Sequence, residues 1–371
     1  MPRHAGSVAA TPLARMLARR IAAGGPIGVA DYMATALGHP RYGYYRSRDP
    51  LGARGDFVTA PEISQMFGEL LGLWCAATWQ ALGRPAPVLL VELGPGRGTL
   101  IADGLRAVAR TVPAFSAALT LHLVESSPVL RARQRRTLAA VGPRPGPAWH
   151  HGLETVPSGP LLVIANEFFD ALPVDQYLRT ADGWCERRVG LDPASGRLRF
   201  EPGPVTVPDL PAALSRAVAG DIVEVCPEAA KVAAAIGERV VRDGGAALIV
   251  DYGHPRSAPG DTLQAVRGHA FADVLERPGE VDLTHHVDFE ALAAAATAAG
   301  ARTLGPIPQG AFLRRLGIEQ RAAALRATAT PEQAADVAAA LRRLVDPRAM
   351  GALFKVLAIT HPAGPPLPGF D

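Results

Sequence analysis

Apolar residues open the chain at helical spacing. Leu13, Met16, Leu17 and Ile21 recur every three or four positions, and Gly24-Gly25-Pro26 then breaks the run. The pattern predicts two short helices across 11–38. The stretch from His39 to Pro61, HPRYGYYRSRDPLGARGDFVTAP, follows neither the helical nor the strand period and reads as a long loop of the functional kind. Ile63, Met66, Phe67, Leu70, Leu71 and Trp74 restore the helical period and predict a helix over 61–82, with Pro61 and Glu62 suited to its start.

From Val88 the texture alternates between short apolar runs and amphipathic ones. VLLVEL, LTLHLVE ending at Glu125, LLVIANE ending at Glu167 and ALIVDYG around Asp251 read as buried parallel strands. Helices are predicted over 99–110, 128–140 and 288–299, with closing strands at 302–307 and 352–360. Strands alternating with helices imply an α/β fold: a Rossmann-like, mostly parallel sheet with helices on both faces. Two stretches interrupt it. Residues 177–206 alternate around Asp192-Pro193-Ala194-Ser195-Gly196 and predict an inserted β-hairpin, and residues 311–345 predict inserted helices. The expected organisation is an N-terminal helical and loop segment over 1–84, a core over 85–361 carrying both insertions, and a loose tail over 362–371.

Composition narrows the function. Of 371 residues 48% are hydrophobic, so a full core forms without disulfides or metals. The net charge is +3, and Lys231 and Lys355 are the only lysines among the basic residues. The arginines are scattered and matched by acids. The runs Arg15–Arg20 and Arg131–Arg136 therefore read as solvated helix faces, and no nucleic-acid partner is expected. Cys75, Cys185 and Cys226 form no CxxC pair, which argues against a zinc site or a disulfide framework. No apolar run approaches the ~18 residues of a membrane helix. The N-terminus is free of acids until Asp31, as in a transit peptide, but its periodic run flows into further patterned sequence and is taken as the first helix. The lysine-poor, arginine-rich composition favours a bacterial, cytoplasmic protein, with a mitochondrial one expected if the source is eukaryotic.

The strongest local signal is Glu92-Leu93-Gly94-Pro95-Gly96-Arg97-Gly98, with a strand entering and a helix leaving. Gly94, Gly96 and Gly98 let the backbone turn tightly and let a ligand approach it, and the helix start offers free N–H groups. Such a turn suits a dinucleotide or S-adenosylmethionine. The GxGxG spacing and the acid Glu92 favour the second: a carboxylate suits the ammonium and sulfonium of the methyl donor and repels a pyrophosphate. Glu125 ends the next strand, where an acid can accept hydrogen bonds from ribose hydroxyls. Asn166, Glu167 and Asp170, at the end of a third strand, form the candidate catalytic cluster, able to hold a polar acceptor such as a guanidinium against the methyl donor. A helix cap is the competing reading of Asn166. His285 and His286 read as turn and packing residues rather than metal ligands, with His286 or Asp282 able to line the site.

Several strings are unusual together: GPIGVADYMATALGHPRYGYY, GARGDFVTAPEISQMFGELLGLW, VELGPGRGTL, HLVESSPVLRARQ, NEFFDALPVDQY, DYGH and GEVDLTHHVDF. With them the chain resembles the MidA-like family of S-adenosylmethionine-dependent methyltransferases over about residues 11–360. The resemblance implies a class I methyltransferase core with an N-terminal segment folding over the cofactor. It places Gly55, Asp56, Phe57, Thr59 and Pro61 against the cofactor, with Glu62 and Ser64 nearby. It also implies a protein substrate, since mitochondrial members are described as protein arginine methyltransferases acting in respiratory complex I assembly. The rivals are an assembly chaperone that keeps the cofactor as a structural ligand, a small-molecule methyltransferase with a closed apolar pocket, and, disfavoured by Glu92, an NAD-dependent oxidoreductase. Oligomeric state is not encoded in any of these motifs.

Overall fold

The computed structural model describes residues 10–47, 56, 58–141, 146–208, 210, 214 and 216–370. Seven strands build the central sheet: β1 (Val88–Leu93), β2 (Leu119–Val124), β3 (Ala148–His150), β4 (Leu161–Asn166), β5 (Gly245–His254), β6 (Arg302–Pro308) and β7 (Phe354–Thr360). Their order is β3-β2-β1-β4-β5-β7-β6, and a two-residue strand, Val287–Asp288, pairs beside the end of β5. Pairing is parallel from β3 to β5, and β7 runs antiparallel to both its neighbours. The direction of winding reverses between β1 and β4, the kind of switch point where such sheets open a crevice.

Every residue of β1 and β4 is buried, because the sheet is covered twice. On one face Val88 and Leu90 pack with Gln65–Ala81, Thr99–Thr111 and the helices between 309 and 345. On the other, Leu89, Val91 and Leu93 pack with Pro227–Asp243 and Phe289–Ala298. The helical insertion expected over 311–345 therefore completes one layer of the core. The glycines of Gln65–Ala81 make this layer thin: a Cβ built on Gly72 would stand 2.5 Å from Gly104 Cα, and one on Gly68 2.7 Å from Leu100 O. Side chains at these positions would hold the two helices apart.

The expected helix over 61–82 is broken at Ser64, which is extended (φ −162°, ψ 138°) between Ala60–Ile63 and Gln65–Ala81. Its hydroxyl accepts the Met66 N–H and restarts the second helix. The expected hairpin over 177–206 is part of a larger sheet. Gly183–Leu191 and Leu198–Thr206 do pair around the 192–196 turn, but Gly183–Leu191 also pairs with Asp175–Thr180 and with Ile27–Gly28, and Ile222–Val225 closes the far side. An isolated hairpin leaves both faces wet and is marginal. Here the apolar stripe Leu13, Leu17 and Ile21 of the first helix, with Tyr32 and Met33 of the second, buries against Val189 of this sheet and Leu283 of a small three-stranded sheet (Gln264–Arg267, Ala270–Ala272, Asp282–Thr284). Segments distant in sequence thus share one core and form a second lobe.

The C-terminal residues are packed, contrary to the expected loose tail. Leu367 is buried, Trp74 Nε1 donates to Pro368 O at 3.1 Å, Arg315 donates to Gly369 O, and Phe370 stacks near Phe312. The aromatic surface left by the helices between 309 and 345 supplies the partner that the tail's own sequence does not announce. Replacing Gly72 with valine is expected to destabilise the protein by about 3 kcal/mol in urea unfolding, because the contact with Gly104 leaves no room for a branched side chain.

Candidate functional site

The chain leaves β1 through a turn in which Gly94, Gly96 and Gly98 all take left-handed backbone angles (φ 62°, 52° and 78°). A Cβ on Gly94 would meet the Phe168 ring at 2.9 Å. Gly98 caps the helix Thr99–Thr111, which keeps it behind the turn. A cavity of about 800 Å³ opens at the carboxyl ends of β1, β4 and β5. Of the residues expected to hold a cofactor, Thr59, Pro61, Glu92, Gly94, Gly96 and Glu125 line it, as do all three of the expected acceptor residues, Asn166, Glu167 and Asp170.

Asp56 stands apart. It accepts the Tyr44 hydroxyl at 2.7 Å and the Gly268 N–H at 2.8 Å, tying the N-terminal segment to the tip of the small sheet. Gly55 and Phe57 lie outside the described residues. Glu62 lines the cavity and binds the Thr99 hydroxyl and Arg97, while Ser64 serves as the helix cap described above.

Glu92 is a carboxylate inside an otherwise apolar strand, only 3% exposed, and burial pushes it up to about 8. Among the described residues its Oε2 has no hydrogen-bond partner, and the same is true of Asn166 Oδ1. Two buried acceptors left open at one cavity call for a ligand rich in N–H donors, since an unmet buried polar atom costs about 1–3 kcal/mol. An ammonium group supplies those donors and a positive charge.

Glu125 is nearly buried and is held from two sides. Ser127 N–H donates to Oε1 at 2.7 Å and Gln134 Nε2 to Oε2 at 3.2 Å. Burial raises its pKa while these bonds oppose the rise. Gln134 also donates to Gly96 O at 2.8 Å and accepts from Trp149 Nε1 at 2.8 Å, so one fully buried side chain links the glycine turn to Glu125. The reading of Arg131–Arg136 as a solvated face passed over this residue. The one uncharged polar residue in that run was the available signal. Arg131 is not free in solvent either: it donates to Glu125 O and His150 O.

After β4 the chain turns sharply at Glu167, a non-glycine residue at φ 49°. The turn is held by Asp251 of β5, whose Oδ2 accepts the N–H groups of Phe168, Phe169 and Asp170 at 3.0–3.3 Å and whose Oδ1 accepts that of Tyr252. Glu167 Oε1 accepts from Ala60 N at 3.0 Å and from Asn166 Nδ2 at 3.2 Å. Burial, reinforced by Asp170, pushes Glu167 up to about 7, and burial pushes Asp170 up to about 6. The Tyr252 hydroxyl faces Asp170. His286 and Asp282 line the cavity from the second lobe, whereas His285 is buried and ties its ring nitrogens to His286 O and Leu172 O. The arrangement offers open acceptor oxygens beside the glycine turn and acids with raised pKa around them, suited to a cationic ligand and to accepting a proton.

The family described as "Putative S-adenosyl-L-methionine-dependent methyltransferase" matches residues 70–307. The chain belongs to this family, and with it to the S-adenosylmethionine-dependent methyltransferases. It is 40% identical to the mitochondrial protein arginine methyltransferase NDUFAF7 of Danio rerio, over 94% of this chain and 86% of that protein. Against the human protein of the same name it is 39% identical, over 94% and 83%. A crystal structure from Burkholderia thailandensis with S-adenosyl-homocysteine bound superposes with a TM-score of 0.80 at 32% identity, covering 97% of this chain and 92% of that one. No helix among the described residues is long and apolar enough to cross a membrane.

Gly96→Val is expected to abolish binding of S-adenosyl-homocysteine in a calorimetric titration while leaving the circular dichroism unchanged. Glu125→Ala is expected to weaken binding about 10- to 100-fold, the worth of hydrogen bonds to a charged group.

The raised acids also set a pH response. With Glu92 at about 8 when folded and near 4.5 when unfolded, the folded state keeps a proton that the unfolded state releases. Stability of the ligand-free protein therefore falls as pH rises between those values. Thermal melts across that window are expected to show the fall, and to show less of it for Glu92→Gln.

Proposed function

We propose that this chain methylates arginine side chains of a protein substrate, using S-adenosylmethionine held at the glycine turn. The observation that carries the reading is the pair Glu167 and Asp170: a half-buried and a buried acid on one rigid loop, lining the same cavity as Gly94 and Gly96. A guanidinium presents five N–H donors in a plane and pairs with carboxylates two bonds at a time. The name shared by the curated relatives supports the same acceptor.

Glu92 Oε2 is assigned to the cofactor's ammonium, Asn166 Oδ1 to the acceptor, Glu125 to the cofactor's ribose hydroxyls, and Thr59 and Pro61 to the side of the cofactor away from the sheet. When bound, S-adenosylmethionine supplies a methyl group on a sulfonium, a cation that departs as a neutral thioether. The remaining work belongs to the chain. Glu167 and Asp170 orient the guanidinium, and Glu167, raised to about 7, accepts the proton that the nitrogen must lose. Alignment within the cavity supplies the rest of the rate.

The mouth of the cavity suits a polypeptide better than a small molecule. Phe271, 79% exposed, and Leu353, 45% exposed, stand at its rim and leave an apolar surface open to solvent. On composition we place the protein in a bacterial cytoplasm, although the curated relatives are named as mitochondrial.

The test is heavy-methyl labelling of a lysate with the purified protein, followed by mass spectrometry of the labelled residues. Label on arginine is the expected result, and label confined to other residues or to small molecules would sink the reading. Glu167→Gln and Asp170→Asn are each expected to lower kcat/KM by about 100-fold or more, with the dissociation constant for S-adenosyl-homocysteine changed less than about threefold. Undiminished turnover in both variants would return these residues to a structural role.

A further inference from the structure

Asp282 opens the strand Asp282–Thr284 of the second lobe, yet its side chain is 4% exposed and lines the same cavity as Asp170 of the core, itself 5% exposed. The Tyr45 hydroxyl donates to Asp282 Oδ1 at 2.8 Å. Asp170 raises the pKa of Asp282 and also that of Tyr45, whose hydroxyl bonds Asp282. Neither acid makes an ion pair among the described residues.

The two lobes are in register here. His285 N–H donates to Asp170 O at 3.0 Å, and its ring contacts Leu172 O, so the acids are held across a fixed gap. An independent sign that this cavity expects a donor is Asn166 Oδ1, 92% buried by its 8% exposure and without a partner. Glu167 differs from the pair. Its Oε1 already accepts from Ala60 and Asn166, and Arg343 lies near enough to lower its pKa.

We propose that Asp282 joins Asp170 as the opposite wall of the acceptor subsite, so that the guanidinium is gripped between the lobes, with Glu167 beside it orienting the nitrogen that loses its proton. The proposal rests on arginine being the acceptor. Two carboxylates facing one buried cavity cannot both ionise without a counter-charge. Burial and the charges of Asp170 and Asp56 push Asp282 up to about 8 against the lowering effect of the Tyr45 hydrogen bond, and Asp170 stands at about 6, so at neutral pH the pair holds a proton. Entry of a guanidinium replaces that proton with a fixed cation and releases it to solvent. A ureido group, of similar shape but neutral, makes no such exchange.

The probe is an S-adenosyl-homocysteine analogue whose sulfur is replaced by a nitrogen carrying a 2-guanidinoethyl arm, compared with the 2-ureidoethyl analogue. Calorimetry on the full chain in two buffers of different ionisation enthalpy reads both affinity and proton release. The wild type is expected to prefer the guanidino arm by about tenfold or more and to release a proton near pH 7, the worth of one charge-assisted hydrogen bond. Asp282→Asn keeps an acceptor for Tyr45, and it is expected to lose both the preference and the proton while binding S-adenosyl-homocysteine normally. If Asp282→Asn keeps the preference and Asp170→Asn loses it, Asp282 is not a wall of the subsite, although the arginine reading stands. If the wild type shows no preference, the arginine reading and this proposal fail together.

Discussion

Asp251 takes N–H bonds from three consecutive residues of the neighbouring turn and from Tyr252, so both its oxygens are met by backbone donors. The consequence reaches through the whole site. The bonds fix the direction in which the chain leaves β4. They thereby set Glu167 at its left-handed angle and hold Phe168 against Gly94, and they decide where Asp170 meets the second lobe. A loop tied at successive amides has little freedom to adapt, and the strain at Glu167 persists because the surrounding bonds over-determine it. The glycine turn and the acid-bearing turn are thus one rigid unit, joined at the Phe168 ring.

A second constraint is electrostatic. Glu92, Glu125, Glu167, Asp170 and Asp282 all border one cavity and all have raised pKa values, with burial the largest cause each time. A protein that assembles so many carboxyl groups out of water holds protons in reserve until a cation arrives. The cofactor of this family carries two positive groups and a guanidinium carries a third, so the cavity's chemistry and its ligands are complementary in sign.

The central strands were legible because a strand buried on both faces must be apolar throughout, and VLLVEL and LLVIAN can be little else. Glu92 was legible for the same reason: a lone acid in such a run has to be explained by a ligand. What escaped depends on partners far along the chain. Ile27–Gly28 pairs with Arg188 and Val189, and neither segment is complete alone. The packed tail needs Trp74 and Phe312, and the break at Ser64 needs the course that Ala60 takes toward Glu167. Gln134 hid inside an arginine-rich helix because periodicity reports which face is apolar, not which polar residue is turned inward. The second lobe's core, assembled from three stretches of chain, has no local signature.

That assembly has a consequence for how the protein changes over generations. The cofactor half of the cavity is made largely by turns of the central sheet, where a substitution touches the handling of the methyl donor directly. The opposite wall comes from Gln264, Val266, Phe271, Asp282 and Thr284 on a small sheet of its own. Substitutions there can alter which molecules are accepted while the methyl donor is handled as before. Descendants of one ancestor can in this way part company over their substrates while sharing an unaltered engine.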